Sequence, residues 1–169
     1  FHVRSLAAIH WEEDIPETSG SIKGNAVQKL RTVYKAKKLP CFADDTGLEI
    51  TALDGRPGVY SARYAGEPSD SAANMDKVLQ ELEGQSDRSA SFKTCIALTL
   101  DGEVFVFEGI IKGTISERRL GEEGFGYDPI FIPDGHTRSF AQMSIEEKNI
   151  ISHRALAVDK MVRFMRKLV

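Results

Sequence analysis

Asp44 and Asp45 follow the short apolar run Pro40-Cys41-Phe42-Ala43 and precede Thr46-Gly47. Adjacent carboxylates repel unless a cation or a basic group neutralises them, and hard cations such as Mg²⁺ take oxygen ligands while keeping several waters. An aspartate so placed can hold Mg²⁺ and take a proton from an attacking water. Asp-Asp-Thr-Gly also suits a plain turn or helix cap. A second cluster is Gly124-Phe125-Gly126-Tyr127-Asp128-Pro129. Its glycines let backbone approach a ligand closely. Phe125 or Tyr127 offers a flat face, and stacking of a base on such a face is worth about 1–3 kcal/mol. Asp128 can accept a hydrogen bond from a base N–H. The plainer alternative is a Gly/Pro loop with its aromatics in the core. The third cluster is Glu147-Lys148-Asn149 with Ser152-His153-Arg154. On one helix Lys148, Ser152 and His153 occupy neighbouring parts of a face. A lysine, a histidine and an arginine at a helix N-terminus make a site for an anion or a carbonyl. Ordinary surface charge, with His153 a satisfied histidine, is the alternative there.

The elements that must position these clusters follow from hydrophobic periodicity. Residues 1–9 read as a short strand and its exit, and 11–20 as a polar loop broken by Pro16 and Gly20. A helix starts near Ser21, with Ala26, Leu30, Val33 and Lys37 on one face. It carries Lys23, Lys29, Arg31, Lys35, Lys37 and Lys38 with no acid between them, a pattern of a solvated face from which one lysine near the start can reach a phosphate. Residues 40–43 read as a buried strand delivering Asp44-Asp45 at its C-terminal end, where α/β ligands gather. Leu48, Ile50 and Ala52 alternate as a second extended segment. A helix is predicted over 69–83, capped by Ser69 or Asp70 and ended by Gly84. Phe92–Leu100 and Val104–Ile111 read as strands joined by an Asp101-Gly102 hairpin, central in a sheet. Ile130-Phe131-Ile132 reads as a brief strand. A last helix is predicted from Ile145 to Leu168, with Ile151, Ala155, Val158, Val162 and Met165 as its buried stripe. Interleaved strands and helices around a hairpin favour an α/β fold with a mixed sheet and helices packed on it.

The chain has 169 residues, enough for one large domain or two closely joined lobes. Apolar residues make up 41% and charged residues 28%, which supports a packed core rather than disorder. No apolar run is long enough to span a membrane, and no signal peptide is visible. A net charge of −3 gives no pointer to nucleic acid. Cys41 and Cys95 lack metal-ligand spacing and read as buried free thiols of a reducing compartment. The expected location is the cytoplasm.

In their order and spacing, these segments are similar to the inosine triphosphate pyrophosphatase family, the non-canonical purine NTP pyrophosphatases. The resemblance is carried by ADDTGLEI (43–50), GRPGVYSARYAG (55–66), NMDKVLQEL (74–82), GFGYDPIFIPDG (124–135) and EEKNIISHRALA (146–157). It implies hydrolysis of ITP, dITP and XTP to the monophosphate and pyrophosphate, with Mg²⁺ as cofactor, by a homodimer that cleans the nucleotide pool. It also implies a single α/β domain over 1–169: a long curved mixed sheet flanked by helices, in two lobes around a cleft. Carried over by position, Asp45 matches the catalytic acid that also binds metal, and Asp44 an auxiliary metal group. Thr46 matches a hydroxyl that contacts substrate. Phe125, Gly126, Tyr127 and Asp128 match the base-binding loop. Lys148, His153 and Arg154 match the nucleotide-binding residues of the last helix, and Lys29 a lysine near the phosphates. Inosine and xanthine present a 6-oxo acceptor and an N1–H donor, whereas adenine presents the reverse. Arg154 or backbone N–H donating to O6, with Asp128 accepting N1–H, would therefore discriminate against adenine by about 10⁴ or more. Exclusion of guanine must involve its 2-amino group.

Two features depart from the family pattern. The family opens with a strand and a Thr/Ser-Asn-rich loop carrying a phosphate-binding lysine. No counterpart precedes Phe1, so a strand-loop-helix is expected to be missing from this sequence. Relatives also place a metal-binding Glu just before the Asn-Ala pair, where this chain has Lys23 and Gly24 before Asn25-Ala26. The metal is then expected to rest on Asp45, Asp44, phosphates and water, or on another acid such as Glu17. These departures keep open a catalytically impaired purine-nucleotide-binding protein of the same fold. A third reading is a hydrolase of the scaffold acting on other nucleotides such as modified pyrimidines, although the GFGYDPIF and SHR segments favour purines.

Overall fold

A computed structural model describes residues 2–168. Helix α1 spans Ile22–Lys37, β1 Cys41–Ile50, α2 Ser71–Glu81, β2 Ser89–Leu100, β3 Glu103–Ile115, β4 Phe131–Pro133, α3 Ile145–Ile151 and α4 His153–Arg166. The strands form one sheet in the order β1-β2-β3-β4. The α/β class and the flanking helices are as expected, but every pairing among the described residues is antiparallel, so the mixed sheet is not seen. Each strand pairs with its neighbour in sequence, a connection that reverses direction every time.

The central hairpin forms at Asp101-Gly102, where φ is 50° and 83°. Positive φ at both central residues matches the right-handed twist of the flanking strands. Ser21 caps α1 by accepting the Gly24 N–H at 3.0 Å. Asp70 caps α2 by accepting the N–H groups of Ala72 and Ala73. Helix α1 buries Ile22, Ala26, Leu30 and Val33.

Beyond shifts of a few residues at element ends, several segments differ from those read in the sequence. Residues 2–9 hold no strand, only a 3-10 turn at Ala7–Ile9; Val3 and Leu6 are exposed and pair with nothing in the sheet. Phe1 lies outside the described residues. The segments 40–43 and 48–52 are one strand, β1, which runs straight through Asp44-Asp45. Carboxylates are tolerated mid-strand because each has a basic partner, described below. Ala52 lies in a 3-10 turn after β1. The last helix is two helices. Ser152, with φ −66° and ψ 152°, ends α3 and caps α4 by accepting the Ala155 N–H. That break resets the helical phase, so α4 buries His153, Ala157 and Met161, and Val158 of the expected stripe is exposed.

Side chains alternate between the faces of a sheet, and three core clusters follow from that. At one end, Leu48, Ile50 and Phe92 pack with α2 and with Ile130, Phe131 and Phe140. At the other end α1 lies on one face, over Cys95 and Ala97. Helix α4 lies on the opposite face, over Ile96 and Leu98. Residues 45–46 of β1 and Thr94 of β2 stand where these ends meet.

Candidate active site

Asp45 is placed by its register. It lies opposite Cys95, on the α1 face, where Lys29 projects from one turn beyond the buried Asn25. The Lys29 ammonium donates to Asp45 Oδ1 at 2.9 Å and to Glu17 Oε1 at 2.9 Å. Two carboxylates thus converge on one cation. Burial pushes the Asp45 carboxyl up; the bond from Lys29 opposes this and the Glu17 charge adds to it. Burial pulls the Lys29 ammonium down, but its bonds to Asp45 and Glu17 outweigh that and raise it. The lysine therefore stays charged, and Asp45 is a stronger base than an exposed aspartate.

Asp44, one residue earlier, points to the other face. Its Oδ2 accepts from Arg154 Nε at 3.2 Å and Nη2 at 3.1 Å. Arg154 Nη2 also reaches Thr46 Oγ1 at 3.3 Å, and Thr46 shares a 2.7 Å hydrogen bond with the fully buried Thr94. The two aspartates are neighbours in sequence but are separated by the sheet. Among the described residues, no group of three or more His, Cys, Asp or Glu side chains is gathered as metal ligands.

On the Arg154 face a cavity of about 1190 Å³ opens, lined in part by Phe125, Phe140, Lys148, His153 and Arg154. Phe125 is 66% exposed and offers the free aromatic face. Lys148 Nζ stands 4.8 Å and the Arg154 guanidinium 5.7 Å from its ring centroid. Tyr127 is not a stacking face. It is buried, its hydroxyl donates to the Ser61 carbonyl at 2.8 Å, and burial pushes its phenol up. Asp128 is not a free acceptor. It is 2% exposed, it accepts the Phe125 N–H at 2.8 Å, and it is ion-paired with Lys148. Gly124 lies against Asp128 with φ 80°, and a Cβ there would come within 2.2 Å of its Oδ2. Gly126, with φ 62°, completes the loop. His153 is buried, and its Nδ1 has no hydrogen-bond partner among the described residues. Burial pushes its imidazole down to about 3, and the charges of Arg154 and Lys148 add to this. The ring is neutral at physiological pH.

The fold thus brings Lys29 to Asp45, and Thr46, Phe125, Lys148, His153 and Arg154 to the opposite side of the same strand. Sequence reasoning gave no place to Thr94, whose β-strand periodicity makes it look like any core residue, and named Glu17 only as a spare acid.

The Ham1 family's sequence profile matches residues 1–164. The chain belongs to the Ham1 family. It is 55% identical over 161 residues to the dITP/XTP pyrophosphatase of Porphyromonas gingivalis, covering 95% of this chain and 83% of that protein. It is 46% identical over 168 residues to the dITP/XTP pyrophosphatase of Bacillus subtilis, covering 98% and 85%. Among solved structures, the Ham1 protein of Staphylococcus aureus superposes with a TM-score of 0.96 at 40% identity, covering 99% of this chain and 88% of that one. A HAM1 protein from Coxiella burnetii gives 0.88 at 42% identity, covering 92% and 81%. These relatives agree with the resemblance seen in the sequence segments.

Proposed function

We propose that the protein hydrolyses non-canonical purine nucleoside triphosphates (ITP, dITP and XTP) to the monophosphate and pyrophosphate. The observation that carries this is the division of labour across β1. Asp45 and Lys29 lie on one face, and an aromatic and cationic purine pocket lies one residue away on the other. β1 is the edge strand of the sheet among the described residues, so a nucleotide that wraps its free edge would reach both faces. Its base would stack on Phe125, as its triphosphate passes toward Lys29. Arg154 and Lys148 would donate to a 6-oxo group, and the neutral His153 would accept N1–H. Adenine, with donor and acceptor exchanged, would leave these buried groups unpaired. Asp128 supports the pocket indirectly by holding Lys148 and the Phe125 backbone.

Asp45 would act as general base, taking the proton of a water that attacks the phosphoanhydride. Lys29 would neutralise charge on the phosphates. The oxygens of Asp45 and Glu17, converging on one ammonium, form a hard-donor set that suits Mg²⁺ when phosphates and water complete its shell. Asp44 is not in that set, because it faces Arg154 across the sheet. Bound there, Mg²⁺ would polarise phosphate oxygens and stabilise developing charge. No helix of the described residues is long and apolar enough to cross a membrane. The reading includes a homodimer working on the cytoplasmic nucleotide pool, without nucleic acid or membrane partners.

Lys29 also neutralises the proposed base, which favours the impaired nucleotide-binding protein as second reading. Asp45→Asn separates the two: loss of pyrophosphate release with ITP binding retained shows that the parent is a catalyst. A parent that binds ITP and releases no pyrophosphate establishes the second reading.

A further inference from the structure

His153 is held from behind by a residue with no assigned part in this site. Phe92, on β2, stacks on the imidazole with ring centroids 4.6 Å apart and planes 14° apart. Phe92 is itself fixed. It is 6% exposed and packs against Phe131 at 4.7 Å and Phe140 at 6.2 Å. The backbone beneath is fixed as well. A Cβ on Gly109 of β3 would lie 1.9 Å from the His153 carbonyl oxygen and 2.6 Å from the Ala157 nitrogen, so the first turn of α4 rests directly on the sheet. In the described residues no side chain or backbone group bonds His153 Nδ1, so no hydrogen bond at that nitrogen orients the ring. Orientation has to come from packing, and a near-parallel aromatic face is the contact that resists rotation of a flat ring.

We propose that Phe92 is a positioning residue for purine recognition, holding the His153 imidazole, whose Nδ1 is sealed inside, so that the ring edge lining the cavity meets the base. This rests on the base-binding reading given above. Phe92 touches no substrate in this account and acts only through His153. A leucine at 92 keeps the pocket apolar but lets the imidazole turn. A tyrosine restores the flat face.

The test is steady-state pyrophosphate release from ITP by the full chain and by Phe92→Leu and Phe92→Tyr, with melting temperatures measured alongside. Stacked aromatic pairs are worth about 0.5–1.5 kcal/mol, which corresponds to a change of about twofold to twelvefold. The Leu variant should raise KM for ITP by that factor with kcat within about twofold of the parent, and the Tyr variant should return KM to the parent value. A Leu variant with unchanged KM, one that loses kcat instead, or a Tyr variant as weak as Leu overturns the proposal. A parent that releases no pyrophosphate from ITP would instead sink the catalytic reading, which this comparison keeps separate. Should the Leu variant fail to fold, the unaltered protein still decides by NMR. The His153 ring-proton resonance should be displaced upfield by the face of Phe92, and should move on addition of IMP but not of pyrophosphate. A resonance at the free-histidine position, or one indifferent to IMP, overturns the proposal.

Discussion

Asp45 and His153 are both ionisable and both buried, and burial pushes them in opposite senses. A carboxyl raised above its ordinary 3.8 gives a pH profile of kcat/KM whose acid limb lies above that of a free aspartate. Asp45→Asn should remove that limb and lower kcat by about 10²–10⁴, the usual worth of a general base, while equilibrium binding of ITP measured without Mg²⁺ changes little. Loss of binding in step with turnover would contradict the assignment. His153 should not titrate at all between pH 5 and 8, so ITP affinity should show no histidine step there. Its pKa is depressed in the folded state, from 6.5 to about 3. The unfolded chain therefore binds the proton first. The stability this group confers is complete above pH 6.5 and is lost as pH falls toward 3, at a limiting slope of about 1.4 kcal/mol per pH unit. Urea unfolding from pH 7 to 4 should be less steeply pH-dependent in His153→Gln than in the parent; equal slopes would mean that the imidazole is hydrated. In the sequence, Asp44-Asp45 and Ser152-His153-Arg154 stand out by type and spacing. What spacing cannot convey is direction. Two adjacent residues of a strand face opposite sides, so the pair that looked like one double carboxylate is two ion pairs, one with Lys29 and one with Arg154.

At the scale of elements, Gly109 sets the height of α4 above the sheet. Gly109→Ala forces the first turn of α4 away, because the added carbon would lie 1.9 Å from the His153 carbonyl. Overpacking of this kind costs about 1–3 kcal/mol. The displacement should also raise KM for ITP, since His153 and Arg154 move together; a destabilised variant with parental KM would show that the register of α4 is not what places them. Ser152→Ala removes the cap that restarts the helix, at a cost of about 1 kcal/mol, and should loosen the same two residues. The helices α1 and α2 and the central hairpin were legible in the sequence because each has a cap, a period and a stop. The break at Ser152 was not. A serine in a helical pattern tells little by itself, and only the sheet beneath α4 fixes which face turns inward. The continuity of β1 was hidden for a related reason: charged residues within a strand look like its end until their partners on α1 and α4 are in place.

In the whole molecule the proposed site lies where two core regions meet, with phosphate chemistry assigned to the α1 face of β1 and base recognition to the α4 face. The class of fold and the family were legible, because the segments carrying them run from Ala43 to Ala157 in order. The antiparallel order of the strands was not, since local pattern marks a strand without naming its neighbour. The division across β1 also makes its own prediction. Arg154→Gln should narrow the preference for ITP over ATP, whereas Lys29→Gln should slow turnover of both substrates alike. Initial rates with each substrate check this, and a Lys29 variant with altered base preference would contradict it. The most direct test of the central claim is pyrophosphate release by the unaltered protein from ITP, XTP, ATP and GTP, with and without Mg²⁺. The account predicts rapid, Mg²⁺-dependent release from ITP and XTP and slow release from ATP and GTP. Equal rates with ITP and ATP, or no release from ITP, would contradict it.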